Sequence, residues 1–325
     1  MSLSAIILAA GKSTRMKSNR SKVLHEVCGR PMLEWVLRAC YDAGVSRVMV
    51  VVGHAKEQVM DRFAGDKRIV WVEQTEQLGT GHAAKMCSDE LKQHPGDVFI
   101  LTGDGPMIRA EILRTLRDAH KADHAAASMA TAMMDDPFGY GRIVRDEKGE
   151  FVDIVEEVDC TPQQREIREV FPSYYCVKSD ELLHALSKLT NTTNKKGEYY
   201  LTDIYGILRR EGKKVTAVQA MTQEDVLAVN TRQQLAEVDM AMQDRIQRQH
   251  REAGVTITSP LQTYIQAGCN IGSDTVVAPF TFVGCDSTIG RDCEIGPFAL
   301  VPANSIVPDG TTISGDVGSM TRNMR

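Results

Sequence analysis

A six-residue period near the C-terminal end constrains the fold of this chain more than any other feature. Such a period is typical of a left-handed parallel β-helix, in which every six residues form one wall of a triangular coil and an aliphatic side chain points inward. About eighteen residues complete one coil, so the segment predicts roughly three coils, enough for stacked repeats to bury a core. The β-branched residues that keep the period without a change of phase are Ile265, Ile271, Val277, Val283, Ile289, Ile295, Val301, Val307 and Ile313.

The first hundred residues follow a different pattern, in which short apolar runs alternate with amphipathic stretches. This alternation predicts right-handed crossovers and a mostly parallel sheet, whose ligands bind at the carboxyl ends of the strands. We therefore expect the loops 9–22, 73–81 and 102–106 to share one cleft. The predicted strands are 5–8, 48–52, 69–72 and 98–101, and the predicted helices are 31–43, 56–63 and 81–91.

The remainder divides the chain into three parts. Residues 111–212 mix a helix at 111–120 with strands at 125–133, 141–144 and 151–156, which complete the first domain. A polar helix follows, with Leu235, Val238, Met242 and Ile246 on one face. We expect a domain at 1–230, a linker helix at 231–252 and the β-helix at 253–325.

The composition, 42% hydrophobic and 25% charged residues, is that of a globular protein. The formal net charge of -5 argues against nucleic acid or a membrane surface as a partner. The eight cysteines never form C-x-x-C, which favours reduced structural thiols. With neither a signal-peptide pattern nor an apolar run of membrane-spanning length, we expect a cytoplasmic location.

The loop after the first apolar run is small and basic. Ala9, Ala10 and Gly11, which follow Leu8, leave the backbone uncovered, so its N–H groups can approach an anion. We expect this loop to hold a polyphosphate, although a buried strand followed by a solvated basic turn explains the charges equally well. It matches neither the Walker A nor the dinucleotide-binding pattern. Five cations and no acid follow: Lys12, Arg15, Lys17, Arg20 and Lys22.

The second loop contains an amide suited to reading a base edge. Gln74 can donate to and accept from the imide of a pyrimidine, and Gly79 lets the backbone approach a ring. We expect Thr80 to begin and cap the next helix, and Gln77 to be solvated. The alternative is an ordinary helix N-terminus after a polar loop.

The third loop places one carboxylate, Asp104, after an apolar strand. Beside the basic loop it would be a hard oxygen ligand for Mg²⁺, which binds through one or two protein groups and substrate phosphates. The alternative is an ordinary turn aspartate before proline.

These loops carry a resemblance to a known family. LAAGKSTRM with Lys22 downstream resembles the signature L-[AG]-A-G-x-[GS]-T-R-[ML] and P-K of the sugar-1-phosphate nucleotidyltransferases, with Ser21 where that family usually has proline. The strings FGYGRI, VEE and GEYYLTD extend the resemblance over residues 5–251. They are most similar to the uridyltransferase half of the bacterial bifunctional N-acetylglucosamine-1-phosphate uridyltransferase/glucosamine-1-phosphate acetyltransferases.

The resemblance implies an α/β fold: a Rossmann-like, mostly parallel sheet nucleotidyltransferase domain followed by a short left-handed parallel β-helix. It implies Mg²⁺-assisted transfer of a uridylyl group from UTP to N-acetylglucosamine 1-phosphate, with Arg15, Lys22 and Asp104 catalytic. Asn230 lies where the family supplies a second metal ligand, although asparagine is also an ordinary helix N-cap. The implied nucleotide-binding residues are Leu8, Ala9, Ala10, Gly11, Lys12, Gln74, Gly79 and Thr80, and the implied sugar-binding residues are Gly141, Glu156, Tyr200 and Thr202.

One departure from the family pattern leaves the identity of the sugar open. Phe171 stands where the family has an asparagine that contacts the sugar, so another sugar 1-phosphate or nucleotide, such as glucose 1-phosphate or dTTP, stays an alternative. A non-catalytic sugar-nucleotide scaffold is the more distant one. The short β-helix predicts no acetyltransferase activity. It favours a homo-oligomer, for which the family suggests a trimer.

Overall fold

The computed structural model describes residues 2–12, 14–191 and 197–315. Within these ranges the first twelve strands are β1 Ser2–Leu8, β2 Glu26–Val27, β3 Arg30–Pro31, β4 Arg47–Val52, β5 Ile69–Glu73, β6 Gly96–Thr102, β7 Ala127–Met133, β8 Gly141–Arg145, β9 Phe151–Val155, β10 Glu169–Phe171, β11 Tyr175–Lys178 and β12 Val215–Met221. The α-helices are α1 Met32–Asp42, α2 Lys56–Arg62, α3 Thr80–Lys85, α4 Ser88–Gln93, α5 Ala110–Ala122, α6 Pro162–Arg165, α7 Ser179–Lys188, α8 Asp203–Arg210 and α9 Arg232–Glu252.

The C-terminal part consists of two-residue strands. They are β13 Thr256–Ile257, β14 Tyr264–Ile265, β15 Asn270–Ile271, β16 Val276–Val277, β17 Phe282–Val283, β18 Thr288–Ile289, β19 Glu294–Ile295, β20 Leu300–Val301, β21 Ile306–Val307 and β22 Thr312–Ile313. Contacts divide the described chain into two compact units. The sheet unit contains the residues up to His25 and Met32–Arg232, and the β-helix unit contains Glu26–Pro31 and the residues from Gln233 onward.

The sheet unit is built on ten strands in the order β5-β4-β1-β6-β11-β7-β10-β8-β9, with β12 also paired to β7. Strand β1 lies parallel to β4 and β6, so Ile6 is opposite both Met49 and Ile100. The neighbouring residues Ile6 and Ile7 are fully buried in cores on opposite faces, which explains the unbroken apolar run. Strands β8 to β11 pair antiparallel. The predicted α/β class is confirmed, and the sheet as a whole is mixed.

Two local predictions differ from the structure. The expected helix over 81–91 is two short helices, α3 and α4, which are separated at Met86 and Cys87. The hairpin formed by β2 and β3 was not predicted, because it is held by residues distant in the sequence. In this hairpin the Cys28 N–H donates to Asp239 Oδ1 at 2.7 Å, and the Cys28 carbonyl accepts from Ala267 N at 2.9 Å.

The β-helix unit forms three parallel sheets, β13-β16-β19-β22, β14-β17-β20 and β15-β18-β21. The predicted aliphatic residues are the second residue of each strand from β14 onward, and Ile265, Val277 and Val283 are fully buried. The hexapeptide β-helix is therefore confirmed, while its handedness stays a prediction. The array begins one strand earlier than the period indicates, at β13. Eight positions rather than six separate Ile257 from Ile265, which hides this first strand in the sequence.

Helix α9 covers the edge of the first coil with two buried glutamines. Gln243 accepts from Ile265 N at 3.0 Å and donates to Ile265 O at 2.6 Å, as a neighbouring strand would. Gln247 donates to Thr263 O at 2.8 Å and to Pro260 O at 3.1 Å. These amides satisfy backbone groups that an uncovered strand edge would expose.

Two further sequence expectations concern the whole chain. All eight cysteines are free thiols, and burial raises the pKa of the Cys87 thiol to about 12. Among the helices of the described ranges, none is both long enough and apolar enough to cross a membrane.

Candidate active site

The three loops predicted to share a cleft line one cavity in the sheet unit. They meet because β1 lies between β4 and β6: Ala9 N donates to Val51 O at 2.9 Å, and Gly103 N donates to Leu8 O at 2.9 Å. The cavity has a volume of about 360 Å³. Its lining residues are Leu8, Ala9, Ala10, Gly11, Ser21, Lys22, Val23, Gln74, Gln77, Gly79, Thr80, Ala83, Thr102, Asp104 and Glu198.

Four of the predicted site residues form one network of side-chain contacts, in which Lys22 and Asp104 line this cavity. The Lys22 ammonium forms an ion pair with Asp104 Oδ2 and donates to Asn230 Oδ1 at 3.1 Å. Arg15 Nη2 donates to the same Asn230 oxygen at 3.0 Å. The side chains of Lys22 and Asp104 are only 15% and 19% exposed, so solvent screens their charges incompletely. Residues separated by more than two hundred positions thus form one charged centre.

A backbone hydrogen bond holds together the two segments that carry Asp104 and Asn230. Val229 N donates to the Asp104 carbonyl at 3.0 Å, which holds the segment preceding α9 against the loop that follows β6. Asp104 and Asn230 both offer an oxygen to the Lys22 ammonium, so they already act jointly toward a cation. A carboxylate and an amide oxygen fit Mg²⁺, which takes hard oxygen ligands from few protein groups. No cluster of three or more His, Cys, Asp or Glu side chains suited to a metal is present in the described ranges.

Side-chain packing explains why a glycine follows Asp104. A Cβ at Gly105 would lie 2.2 Å from the Tyr174 hydroxyl oxygen, which is closer than atoms can approach. Tyr174 is 2% exposed, and burial followed by the charge of Asp104 raises the pKa of its phenol. The tyrosine therefore restricts this position to glycine and supports the loop that carries Asp104.

The basic loop is attached to α2 by a residue that the sequence did not indicate. Gln58 accepts from Ser21 N at 3.0 Å and donates to Asn19 O at 3.1 Å. A Cβ on Gly11 would meet no atom within 4 Å, so the space beside its backbone is open to a ligand. Lys12 is exposed and does not line the cavity.

The amide of Gln74 is oriented by its neighbours. Its Nε2 donates to Gly79 O at 3.1 Å and lies 3.1 Å from His82 Nδ1. Because a backbone carbonyl can only accept, the NH₂ group must face Gly79. The Gln74 side chain therefore leaves its carbonyl oxygen, rather than its nitrogen, as the group available to a ligand.

One expectation for the second loop was wrong. Thr80 begins α3 but does not cap it: the N-cap residue is Gly79, and Thr80 Oγ1 instead accepts from Leu201 N at 3.1 Å. Gln77 is exposed to solvent as expected, and it also lines the cavity and donates to Ala10 O at 3.0 Å. Both side chains connect loops, a role that only the tertiary structure reveals.

Gly79 connects the second loop to the segment that contains Glu198 and Tyr199. Its φ of +105° suits glycine, and a Cβ there would lie 2.6 Å from Tyr199 O. Tyr199 N donates to Leu78 O, and Gly81 N donates to Tyr199 O, each at 2.8 Å. This arrangement also brings Glu198, which was not predicted, to the cavity wall.

The predicted sugar-binding residues lie outside the lining of this cavity. Gly141 and Glu156 are close together, since a Cβ on Gly141 would lie 3.9 Å from Glu156 Oε2. Burial, followed by the charges of Glu198 and Glu156, raises the pKa of Tyr200. Thr202 lines a separate cavity of about 290 Å³. The structure therefore brings Gly141 and Glu156 together, and places Thr202 at a different cavity.

Phe171 occupies the core. It lies opposite Gly141 in the sheet, is 4% exposed, and packs edge-on against Tyr175 and Tyr205 at ring-centre distances of 4.9 and 5.8 Å. Its ring thus contributes packing rather than a polar group beside Gly141.

The model of a MobA-like NTP transferase domain matches residues 5–193, which is more than half of the chain. The chain belongs to this family. In this NTP transferase the matched range contains all the predicted nucleotide-binding residues. A second model, the bacterial transferase hexapeptide of six repeats, matches residues 268–303 in the β-helix unit.

Curated relatives of this NTP transferase include two named "Bifunctional protein GlmU". The protein from Geobacter metallireducens is 45% identical over 277 residues, which are 85% of this chain and 58% of the relative. The protein from Geobacillus thermodenitrificans is 44% identical over 279 residues, which are 86% of this chain and 60% of the relative. The chain therefore spans about three fifths of the length of the curated relatives it matches.

Solved structures share the fold at lower identity. One, titled as a UDP-glucose pyrophosphorylase complexed with UDP-glucose, superposes with a TM-score of 0.61 at 18% identity, covering 75% of this chain and 100% of that one. A putative glucose-1-phosphate thymidylyltransferase from Bacillus anthracis gives the same TM-score at 17% identity, covering 73% and 94%. These likenesses concern the fold of the NTP transferase.

Proposed function

We propose that this chain transfers a uridylyl group from UTP to N-acetylglucosamine 1-phosphate, producing UDP-N-acetylglucosamine and pyrophosphate. The observation that carries the proposal is that Lys22, Asp104 and Gln74 line one cavity, and that Arg15 and Asn230 belong to the same network of side-chain contacts as Lys22 and Asp104. The curated relatives named "Bifunctional protein GlmU" support it as well.

The reaction requires little acid–base chemistry. A phosphate oxygen of the sugar 1-phosphate attacks the α-phosphorus of UTP, a new P–O bond forms, and the bond between the α- and β-phosphates breaks with its electron pair leaving on pyrophosphate. The attacking group is already an anion, so the protein contributes mainly position and positive charge. Lys22 would stabilise charge at the α-phosphate. Arg15, together with the backbone around Gly11, would hold the pyrophosphate.

The divalent ion that we propose as a cofactor is Mg²⁺, held by Asp104 and Asn230. When bound, such an ion neutralises phosphate charge and aligns the two substrates. Asp104 and Asn230 supply oxygens on adjacent, hydrogen-bonded segments. Lys22 contacts both oxygens and also lines the cavity, so its ammonium lies beside the space proposed for the phosphates.

Base selection follows from the orientation of Gln74. Its carbonyl oxygen would accept from the N3–H of uracil, whereas cytosine presents an acceptor at that position. Thymine has the same N3–H, so this contact excludes cytosine without separating UTP from dTTP. For the sugar we propose Gly141, Glu156, Tyr200 and Thr202, of which the first two lie near one another.

Pyrophosphate release, measured with UTP, dTTP and CTP against several sugar 1-phosphates, tests this proposal. The expected result is release with UTP and N-acetylglucosamine 1-phosphate, abolished by Asp104→Ala. Efficient release only with glucose 1-phosphate or with dTTP would replace the proposed substrates. No release from any pair, with a folded protein, would contradict the enzymatic function itself.

We also propose that the β-helix unit mediates self-association into a homo-oligomer. Phe280 and Phe298 are each 52% exposed and stack with ring centres 4.9 Å apart, and Leu300 and Ile306 are 68% and 83% exposed. Apolar surface of this kind is typical of interaction sites. Light scattering after size-exclusion chromatography should give a mass above one chain, and Phe298→Ser should reduce it. A monomeric wild-type protein would contradict the proposal.

A further inference from the structure

We propose that Gln58 is a positioning residue for Lys22, holding the loop that presents the lysine by two hydrogen bonds from one amide. This inference rests on the proposed function, in which Lys22 acts on the phosphates. Gln58 contacts neither the cavity nor the charged centre, so it would act only through the backbone of the residues that precede Lys22.

The two hydrogen bonds of Gln58 hold residues that immediately precede Lys22. Gln58 Nε2 donates to the carbonyl of Asn19, and its Oε1 accepts from the N–H of Ser21. Ser21 then starts the short 3₁₀ turn Lys22–Leu24, in which Leu24 N donates to Ser21 O at 3.1 Å. One side chain therefore fixes both ends of the segment from which this turn begins, and with it the starting direction of Lys22.

The support for the amide is rigid. Gln58 lies on α2, and its neighbour Val59 is 1% exposed and packs in the core beside β4 residues such as Val50. The loop carries five cations that repel one another, and two of them, Arg15 and Lys22, are held by Asn230 and Asp104 on other segments. A hydrogen-bonded attachment to a packed helix restricts the backbone against that repulsion.

The backbone conformation of Ser21 is one that a proline could also adopt. Its φ of −54° lies in the range that a proline ring imposes, and a proline has no N–H to donate. Two solutions to one requirement are therefore available at this position: a covalent restriction of φ, or a hydrogen bond from an ordinary residue to Gln58. This chain has the second, so the two should substitute for one another.

The first test is the turnover of Gln58→Ala, with Glu57→Ala as the matched control because Glu57 is an exposed neighbour on the same helix. We expect kcat of the Gln58 variant to fall about tenfold, since small misplacements of a catalytic group are costly, with little change in KM. The control should retain its kcat. Equal turnover of the Gln58 variant and the wild-type protein would overturn the proposal.

The second test introduces the covalent restriction. In the Gln58→Ala background, Ser21→Pro should raise kcat, and in the Ser21→Pro background the Gln58 substitution should cost only about twofold, which is the non-additivity expected of residues serving one purpose. Strictly additive losses would overturn the proposal, because Gln58 would then act by a route that does not involve Ser21.

Hydrogen exchange separates this inference from the proposed function. The amides of Leu24 and His25, which donate to Ser21 and Lys22, should exchange faster in Gln58→Ala and recover in the double variant. This readout needs no substrate. Unchanged exchange would overturn the positioning role, whereas altered exchange without uridylyl transfer by the wild-type protein would sustain the positioning of Lys22 and reject the assigned reaction.

Discussion

The β-helix unit and the sheet unit use their residues in opposite ways. In the β-helix unit each strand from β14 to β21 contributes one buried aliphatic residue, and the same local rule repeats from Ile265 to Val307. In the sheet unit the charged centre consists of Lys22, Asp104 and Asn230, which lie far apart in the sequence and follow no period. Stability in the first unit is therefore distributed over equivalent positions, whereas activity in the second depends on a few positions with no equivalent.

The largest expected effect concerns the β-helix unit, in which stability is distributed over equivalent positions. Ile289→Ala removes a buried side chain from the middle of the array, and such truncations lower the free energy of unfolding by about 2–5 kcal/mol. Thr288→Ala, in the same strand but exposed, is the control and should change it by about 0.5 kcal/mol or less. Urea unfolding measures both. Similar midpoints for the two variants would contradict the inward register of the strand.

Lys22→Ala tests the sheet unit, in which activity depends on a few positions. Removing one electrostatic group from a preorganised site lowers kcat by about 100- to 1000-fold, or about 2.7–4 kcal/mol, and Arg15→Ala should act in the same direction. Lys67→Ala, an exposed lysine elsewhere in the sheet unit, should keep its turnover. Steady-state pyrophosphate release provides the measurement. Wild-type turnover in Lys22→Ala would remove the lysine from the mechanism.

Gly79→Ala tests a contact between two loops of the sheet unit rather than a charged group. The added methyl group meets the Tyr199 carbonyl and a φ of +105°, a strain of about 1–3 kcal/mol. We expect weaker nucleotide binding, since the loop carrying Gln74 must shift, and calorimetric titration with UTP measures it. Gly65→Ala, at a glycine with open space around it, should bind UTP as the wild-type protein does.

The smallest effect concerns Asp97, which lies in β6, the strand that precedes the loop with Asp104. The nearby imidazole of His120 holds the pKa of Asp97 below its usual range, although burial opposes this. A lowered carboxyl pKa gives stability that is present above the pKa of the unfolded chain, about 4, and is lost as the pH falls through the lower folded value. Melting temperatures between pH 5 and 3 should therefore fall less steeply in Asp97→Asn. An unchanged slope would contradict this role.

Sequence predicted the parts of the molecule in which neighbouring residues decide the structure. The repeating aliphatic residues identified the β-helix, and the runs ending at Leu8 and Leu101 identified parallel strands whose ends carry Gly11 and Asp104. That Lys22, Arg15 and Asn230 meet at Asp104 follows from the family resemblance together with the rule on strand ends.

The rest depended on contacts between distant segments. Gln58 and Glu198 have no local pattern that marks them, because one acts from a helix and the other from a loop joined to Gly79. Thr80 could be predicted as the start of a helix, yet its hydroxyl bonds Leu201 instead of capping. Propensity describes what a residue can do, whereas packing selects among the options.

The glutamines of α9 give the coil array a polarity. Gln243 and Gln247 satisfy the backbone of the first coil, while at the other end the strands β20, β21 and β22 have no further strand paired beyond them within the described residues. The first coil is thus covered by side chains that the repeat itself does not supply. Repeats inserted or removed at that far end would leave the glutamine contacts untouched, so the length of the array is a variable that protein engineers can adjust independently of its start.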